Sequence, residues 1–183
     1  MILTGSEIKR QVKNGDIILE PFVPDLVNPN SYNYRLGNTL LEITDSIIFT
    51  KVLSRVNKII IPPTGFTLLP RKIYLGVTLE KIGSSKFVPS LIGRSSLGRL
   101  GLFLQITADL GHLGTCHHWT LELTCVQPLV VYPKMRIGQV SFWKPDGLDL
   151  LKNNYQKTMQ NYSKFSLPQP SIANKFFFEN SKP

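Results

Sequence analysis

A mainly β domain, a barrel or sandwich introduced by one short helix, is the fold this sequence predicts. Short runs rich in Val, Ile, Leu, Thr and Phe recur along the chain, turn clusters separate them, and helical spacing gives way to β patterning after the first turns. Residues 4–14 form the expected helix, capped by Thr4 or Ser6 and stopped at Gly15. Strands are expected over 17–20, 32–36, 39–43, 47–52, 58–61, 66–69, 73–79, 102–108, 119–126, 129–132 and 138–143. Pro62-Pro63-Thr64-Gly65, Gly83-Ser84-Ser85 and Tyr132-Pro133-Lys134 punctuate them as turns, and residues 95–100 read as one brief helix. After Lys152 the apolar pattern thins into Asn, Gln, Ser and Lys, then Pro168-Gln169-Pro170. Residues 1–152 are therefore expected to form the domain and 153–183 a flexible tail. Phe176-Phe177-Phe178 is unusual in such a tail, and reads either as a dock on a neighbouring subunit or as a surface patch.

A chain of 183 residues with 42% hydrophobic content fits one domain with a core of ordinary size. It carries no apolar run of membrane-spanning length and no charged-then-apolar leader, so a soluble, cytoplasmic protein with no membrane association is expected. The formal charge of +9 calls for an anionic partner, a nucleotide or a nucleic acid. Basic residues are scattered from Lys9-Arg10 through Arg71-Lys72 to Lys134 and Arg136 without a dense run, which argues against nucleic-acid binding as the main role. Two cysteines, Cys116 and Cys125, fit a reducing compartment. His112, Cys116, His117 and His118 are zinc-type donors within seven residues. Adjacent His117 and His118 would point to opposite faces of an extended chain, and no second Cys pair follows, so no metal centre is expected there.

The run Gly93-Arg94-Ser95-Ser96-Leu97-Gly98-Arg99 has an anion-binding composition. Two guanidinium forks grip phosphate oxygens, two short hydroxyls donate, and the glycines let backbone N–H groups approach. The same run also reads as a polar turn with its arginines in solvent. Glu122 lies in Trp119-Thr120-Leu121-Glu122-Leu123-Thr124-Cys125, whose alternation puts Thr120, Glu122 and Thr124 on one face. The carboxylate there is either an ordinary solvent-facing Glu or, if that face lines a closed pocket, a general base for a water.

These residues resemble the deoxycytidine triphosphate deaminases of the trimeric dUTPase superfamily, from about residue 1 to about residue 170. The opening Met1-Ile2-Leu3-Thr4-Gly5-Ser6-Glu7-Ile8-Lys9, Glu20-Pro21-Phe22, Asn30 to Gly37, the Gly-Arg-Ser-Ser-Leu-Gly-Arg run, Thr107-Ala108, Leu121-Glu122, Tyr132-Pro133 and Gly138-Gln139 carry the resemblance in order. It implies a distorted β-barrel of the dUTPase-like type, the β-clip, assembled as a homotrimer. It also implies hydrolysis of dCTP to dUTP and ammonia in pyrimidine deoxynucleotide metabolism. Arg94, Ser95, Ser96 and Arg99, with Leu97 and Gly98 between them, would bind the triphosphate and help complete the active site, one subunit's run reaching into its neighbour's pocket. Glu122 would deprotonate the water that attacks C4 of cytosine, while Ser95 and the backbone around Ala108 hold that water and the departing ammonia. Thr120, Leu121 and Gln139 would lie beside the nucleotide, Tyr155 near the base, and the tail would close over the site. The family works without a catalytic metal; Mg2+ would arrive with the substrate triphosphate.

Two departures qualify this picture. His112 stands where the family has an aspartate that holds the sugar 3′-hydroxyl and, in dUTP-hydrolysing members, helps activate water. A neutral imidazole still hydrogen-bonds a hydroxyl but is a weaker anchor; alternatively His112 is a loop histidine held by ordinary hydrogen bonds. In the tail, the family's Lys-Tyr with a following Gln is replaced by Asn161-Tyr162-Ser163-Lys164, with Lys157 or Lys164 left to supply the charge. Release of dUTP without further hydrolysis is the resulting expectation. A dUTP diphosphatase or bifunctional enzyme, and a non-catalytic nucleotide-binding paralogue, are the alternatives.

Overall fold

The structure, a computed structural model, describes residues 1–105, 107–147 and 165–175. Helix α1 (Gly5–Lys13) begins at Thr4 and ends at Asn14, after which Gly15, with φ of 78°, donates its N–H back to the Val12 carbonyl. That left-handed residue is the stop the sequence signals, because glycine takes the conformation without a Cβ clash. Ile8 is fully buried, and Leu3 donates its N–H to the Phe142 carbonyl at 2.9 Å, so the helix is fastened to the last strand of the domain.

Eleven strands follow among the described residues: β1 (Ile17–Glu20), β2 (Tyr32–Arg35), β3 (Thr39–Ile43), β4 (Val56–Ile60), β5 (Phe66–Leu68), β6 (Tyr74–Ser84), β7 (Val88–Gly93), β8 (Leu102–Leu104), β9 (Cys116–Cys125), β10 (Leu129–Val131) and β11 (Arg136–Trp143). A short helix, α2 (Ser95–Gly98), joins β7 to β8. All pairings are antiparallel. The largest sheet runs β4-β3-β6-β9-β8 with β1 also on β6; β2-β11-β7 and β10-β5 form two smaller ones. The barrel expected from the sequence is thus three antiparallel ladders around one core, and the ladders do not close into a ring. Tyr32, Tyr34, Tyr74, Leu40, Leu121, Val140 and Phe142 are among its buried members.

Several boundaries differ from the sequence reading. Residues 47–52 form no strand: Ile47, Phe49 and Val52 are more than 60% exposed in an excursion between β3 and β4. Arg55 closes that excursion by donating its backbone N–H and its Nε to the two oxygens of Asp45, each at 2.7 Å. β7 was not expected, because Pro89 interrupts its pattern. Pro89 is tolerated since β7 lies at the edge of its sheet, where one side needs no ladder donor. Gly83-Ser84 lies inside β6 instead of in a turn, and a Cβ on Gly83 would strike the Thr115 carbonyl on the crossing chain. Between Val77 and Lys81 the β6–β9 register shifts, so that Thr78, Leu79 and Glu80 stand opposite Trp119 alone. Glu80, within this bulge, is fully buried and accepts the Arg35 backbone N–H at 2.8 Å and the Arg35 Nε–H at 2.6 Å.

Candidate active site

β9 carries the expected alternation into three dimensions. Leu121, Leu123 and Cys125 are buried while Glu122 is exposed and Thr120 and Thr124 are half-buried. Glu122 pairs with Leu75 of β6 on one side. On its other side β8 has already ended at Leu104, and the Glu122 N–H is taken by the side-chain oxygen of Gln105 at 2.8 Å. The Gln105 side-chain nitrogen donates to the Ala108 carbonyl at 3.4 Å. The Glu122 backbone and the Ala108 carbonyl, residues that the resemblance implies at the attacking water, are therefore joined through one carboxamide.

The arginine-serine run forms α2 at the other end of β8. Arg94 is its first flanking residue, and the N–H groups of Leu97 and Gly98 return to the Arg94 carbonyl. Leu97 packs against the core, which leaves Ser95, Ser96 and Arg99 exposed. Three residues after α2 ends, Gly101, with φ of 83°, turns the chain into β8 beside Val126. Cys125, the β9 partner of Leu102, is three residues from Glu122, so the start of β8 lies about 10 Å along the strand from the Glu122 backbone. Arg94 donates one Nη to the Arg136 carbonyl at 3.4 Å, and its buried Nε has no hydrogen-bond partner among the described residues. The guanidinium is placed but not saturated.

The loop 109–114 is stitched to β7. Leu91 donates its N–H to the Asp109 carbonyl at 2.7 Å, Gly111 donates to the Pro89 carbonyl at 2.8 Å, and the Ser90 hydroxyl meets the Asp109 carboxylate at 3.2 Å. His112 is exposed at the loop's crest, its carbonyl receiving the Thr115 hydroxyl at 2.7 Å. Beneath it, Trp119 stacks on buried His117 with ring centroids 4.2 Å apart and donates its indole N–H to the Ile82 carbonyl. Burial pushes the His117 imidazole below its usual range. Among the described residues no group of three His, Cys, Asp or Glu side chains converges on a metal-sized space; both cysteines are free thiols.

Residues 165–170 lie against β9. His118 donates its N–H to the Phe165 carbonyl at 3.2 Å, Gln169 donates its N–H to the Thr120 hydroxyl at 3.0 Å, and Pro168 is buried. Thr120, expected beside the nucleotide, thus anchors the chain's own C-terminal segment, two residues from Glu122. Leu121 faces the core, fully buried, so its side chain does not face a ligand on the Glu122 side. Gln139 sits in β11 opposite Asn33 and Ile92, and its side-chain oxygen accepts the Ser31 hydroxyl at 3.1 Å. Tyr155 and Phe176-Phe177-Phe178 lie outside the described residues.

A family model described as dCTP deaminase-like matches residues 2–145. The chain belongs to the dCTP deaminase-like family. A Hathewaya histolytica protein named "dCTP deaminase, dUMP-forming" is 44% identical over 178 residues, covering 97% of this chain and 99% of its own. A Rhodopirellula baltica protein named "dCTP deaminase" is 38% identical over 175 residues, 96% of this chain and 85% of its own. The crystal structure of 2′-deoxycytidine 5′-triphosphate deaminase from Agrobacterium tumefaciens shares the fold, with a TM-score of 0.62, 21% identity and coverage of 77% of this chain and 46% of that one. No helix among the described residues is long and apolar enough to cross a membrane.

Within this dCTP deaminase-like chain, Gln105 is the residue the sequence reading passed over. Strand alternation in Leu102-Phe103-Leu104-Gln105 places it outward beside Phe103. The observed φ of 51° breaks the alternation and turns the side chain inward to 7% exposure. A backbone angle of this kind leaves no mark in composition.

Proposed function

We propose that this chain is a hydrolytic deaminase of dCTP, with Glu122 as general base. The observation that carries the reading is the Gln105 bridge, which ties the backbone N–H of Glu122, a residue exposed on β9, to the Ala108 carbonyl through one side chain. A water between them loses a proton to Glu122 as its oxygen adds to C4 of cytosine. Glu122 delivers that proton to N3, then carries the hydroxyl proton of the tetrahedral adduct to its amino nitrogen; the C4–N bond breaks, and ammonia leaves uracil with a C4 carbonyl and an N3–H. Arg94, Ser95, Ser96 and Arg99 bind the triphosphate, and Mg2+ enters with it as part of the substrate. Because Glu122, Ser95, Ser96 and Arg99 are all exposed in one chain, neighbouring copies in a homotrimer supply the remaining walls.

The names of the relatives at 42–44% identity specify dUMP as the product, which supports a second hydrolysis, at the phosphoanhydride, before release. The other reading, in which dUTP leaves intact, rests on the resemblance: the exposed His112 of loop 109–114 stands where the family has an aspartate. Incubation with dCTP, with ammonia release and chromatography of dUTP, dUMP and pyrophosphate, separates the two. Glu122→Gln is expected to lower ammonia release by on the order of a hundredfold to ten-thousandfold with nucleotide binding retained. A fully active variant rejects Glu122 as the base; an inactive wild type that still binds nucleotide points to the non-catalytic alternative.

A further inference from the structure

We propose that Gln105 is a positioning residue for the deamination, its carboxamide holding the Glu122 backbone and the Ala108 carbonyl at one fixed separation. The inference rests on the deaminase reading above. Gln105 is the residue at which β8 leaves the ladder. Had β8 continued, a backbone carbonyl would accept the Glu122 N–H and the chain would run on past the site. Instead the side-chain oxygen substitutes for that carbonyl at 2.8 Å, and the backbone, released, turns so that Ala108 comes back to the same side chain. The orientation of the amide is fixed by its partners: an N–H faces one end and a carbonyl the other, so only one of the two possible placements of oxygen and nitrogen satisfies both.

Two further observations point the same way. The Gln105 backbone N–H also reaches the Glu122 carbonyl at 3.4 Å, so the pair is linked in both directions. The φ of 51° is a left-handed conformation in a residue that is not glycine, and such conformations persist only where the surrounding structure holds them. Gln105 is buried and is not placed to touch substrate. Its effect is on the geometry of groups that do, and a displacement of about 1 Å at such groups costs on the order of a hundredfold in rate.

The test uses the full chain and reads kcat, KM and melting temperature for dCTP turnover by wild type, Gln105→Leu and Gln105→Glu. Gln105→Leu shortens the side chain by one atom and removes both of its hydrogen bonds; kcat is expected to fall by on the order of a hundredfold while KM changes little. Gln105→Glu supplies the informative pH profile. Ionised, the new carboxylate accepts from Glu122 but repels the Ala108 carbonyl; protonated, it accepts and donates as the amide does. Its kcat relative to wild type, measured at each pH, should therefore rise as pH falls through the carboxylate range, a recovery that a purely structural role would not produce. An active wild type whose Gln105→Leu variant keeps its kcat, or a flat Gln105→Glu ratio, overturns the inference alone. A wild type that releases no ammonia overturns the deaminase reading and takes the inference with it. Should Gln105→Leu fail to fold, the Gln105→Glu ratio decides.

Discussion

Replacing His112 with aspartate tests the place at the sugar that the resemblance implies for this residue, with little disturbance elsewhere. The imidazole is exposed and makes no hydrogen bond among the described residues, while the loop's backbone is fixed independently of it. Gly111 and Gly114 donate to the Pro89 and Ser84 carbonyls at 2.8 and 2.7 Å, and the His112 carbonyl is held by Thr115. The exchange thus alters only what the crest offers a ligand, and its effect on stability should stay within about 0.5 kcal/mol. A carboxylate that accepts the 3′-hydroxyl adds one net hydrogen bond, about 1 kcal/mol, or roughly fivefold in affinity. It also adds a negative charge near a triphosphate, which weakens every nucleotide alike. Calorimetric titration in the Glu122→Gln background, with dCTP and with its 2′,3′-dideoxy analogue, separates the two contributions. The ratio of the two affinities is expected to move about fivefold in favour of dCTP. An unchanged ratio would refute the assignment of position 112 to the sugar, whatever happens to either affinity singly.

Three further outcomes follow from the packing. Glu80→Gln leaves the Arg35 guanidinium without its buried carboxylate; since the Arg35 side chain retains 20% exposure, the cost should sit near the low end for a broken buried pair, about 3 kcal/mol. At about 2–4 °C per kcal/mol for a chain of this size, calorimetry should register a drop of about 6–12 °C, and no drop contradicts the reading. Because burial depresses the His117 imidazole below its reference value of 6.5, the unfolded chain takes up the proton first. Its contribution to stability is complete above that value and drains away as pH falls through the lower folded-state value, so wild type should lose melting temperature on acidification faster than His117→Phe. Finally, a methyl at Gly111 would lie 2.5 Å from the Trp119 ring and 2.8 Å from Pro89, so Gly111→Ala should cost about 1–3 kcal/mol and alter Trp119 fluorescence.

Where side-chain periodicity and burial coincide, the sequence already contained the structure. β3 and β1 match their expected limits, and the β9 alternation put Glu122 on the outward face before any coordinates. Ile47, Phe49 and Val52 misled because β-branched and aromatic residues favour strands only when a neighbour pairs with them, and this excursion finds none. β7 was hidden by Pro89, whose meaning depends on whether its strand is central or at an edge, a fact of the whole sheet. The candidate site was legible in residue types, since Arg94, Ser95, Ser96, Arg99 and Glu122 are named by their chemistry. Gln105 was not, because its inward turn follows from a left-handed backbone angle, and the hydrogen bond from the Gln169 N–H to the Thr120 hydroxyl was not, because it comes from a segment nearly fifty residues downstream.

The bulge in β6 has a consequence for how this domain tolerates changes in length. Opposite Trp119, β6 carries Thr78, Leu79 and Glu80 where a regular ladder would place a single residue, a surplus of two. Side chains in a strand alternate with a period of two, so an even surplus keeps the pleat in phase on both sides of the interruption. Thr78 fastens the surplus, its hydroxyl donating to the Glu80 carbonyl at 2.7 Å and accepting the Trp119 N–H at 2.8 Å. Removing both extra residues would restore an uninterrupted ladder at the loss of the inward Glu80. Removing one would invert inside and outside for everything beyond it, exposing Ile82 and burying Lys81. Insertions and deletions here are therefore admissible only in pairs, a parity rule written into the strand by its pleat.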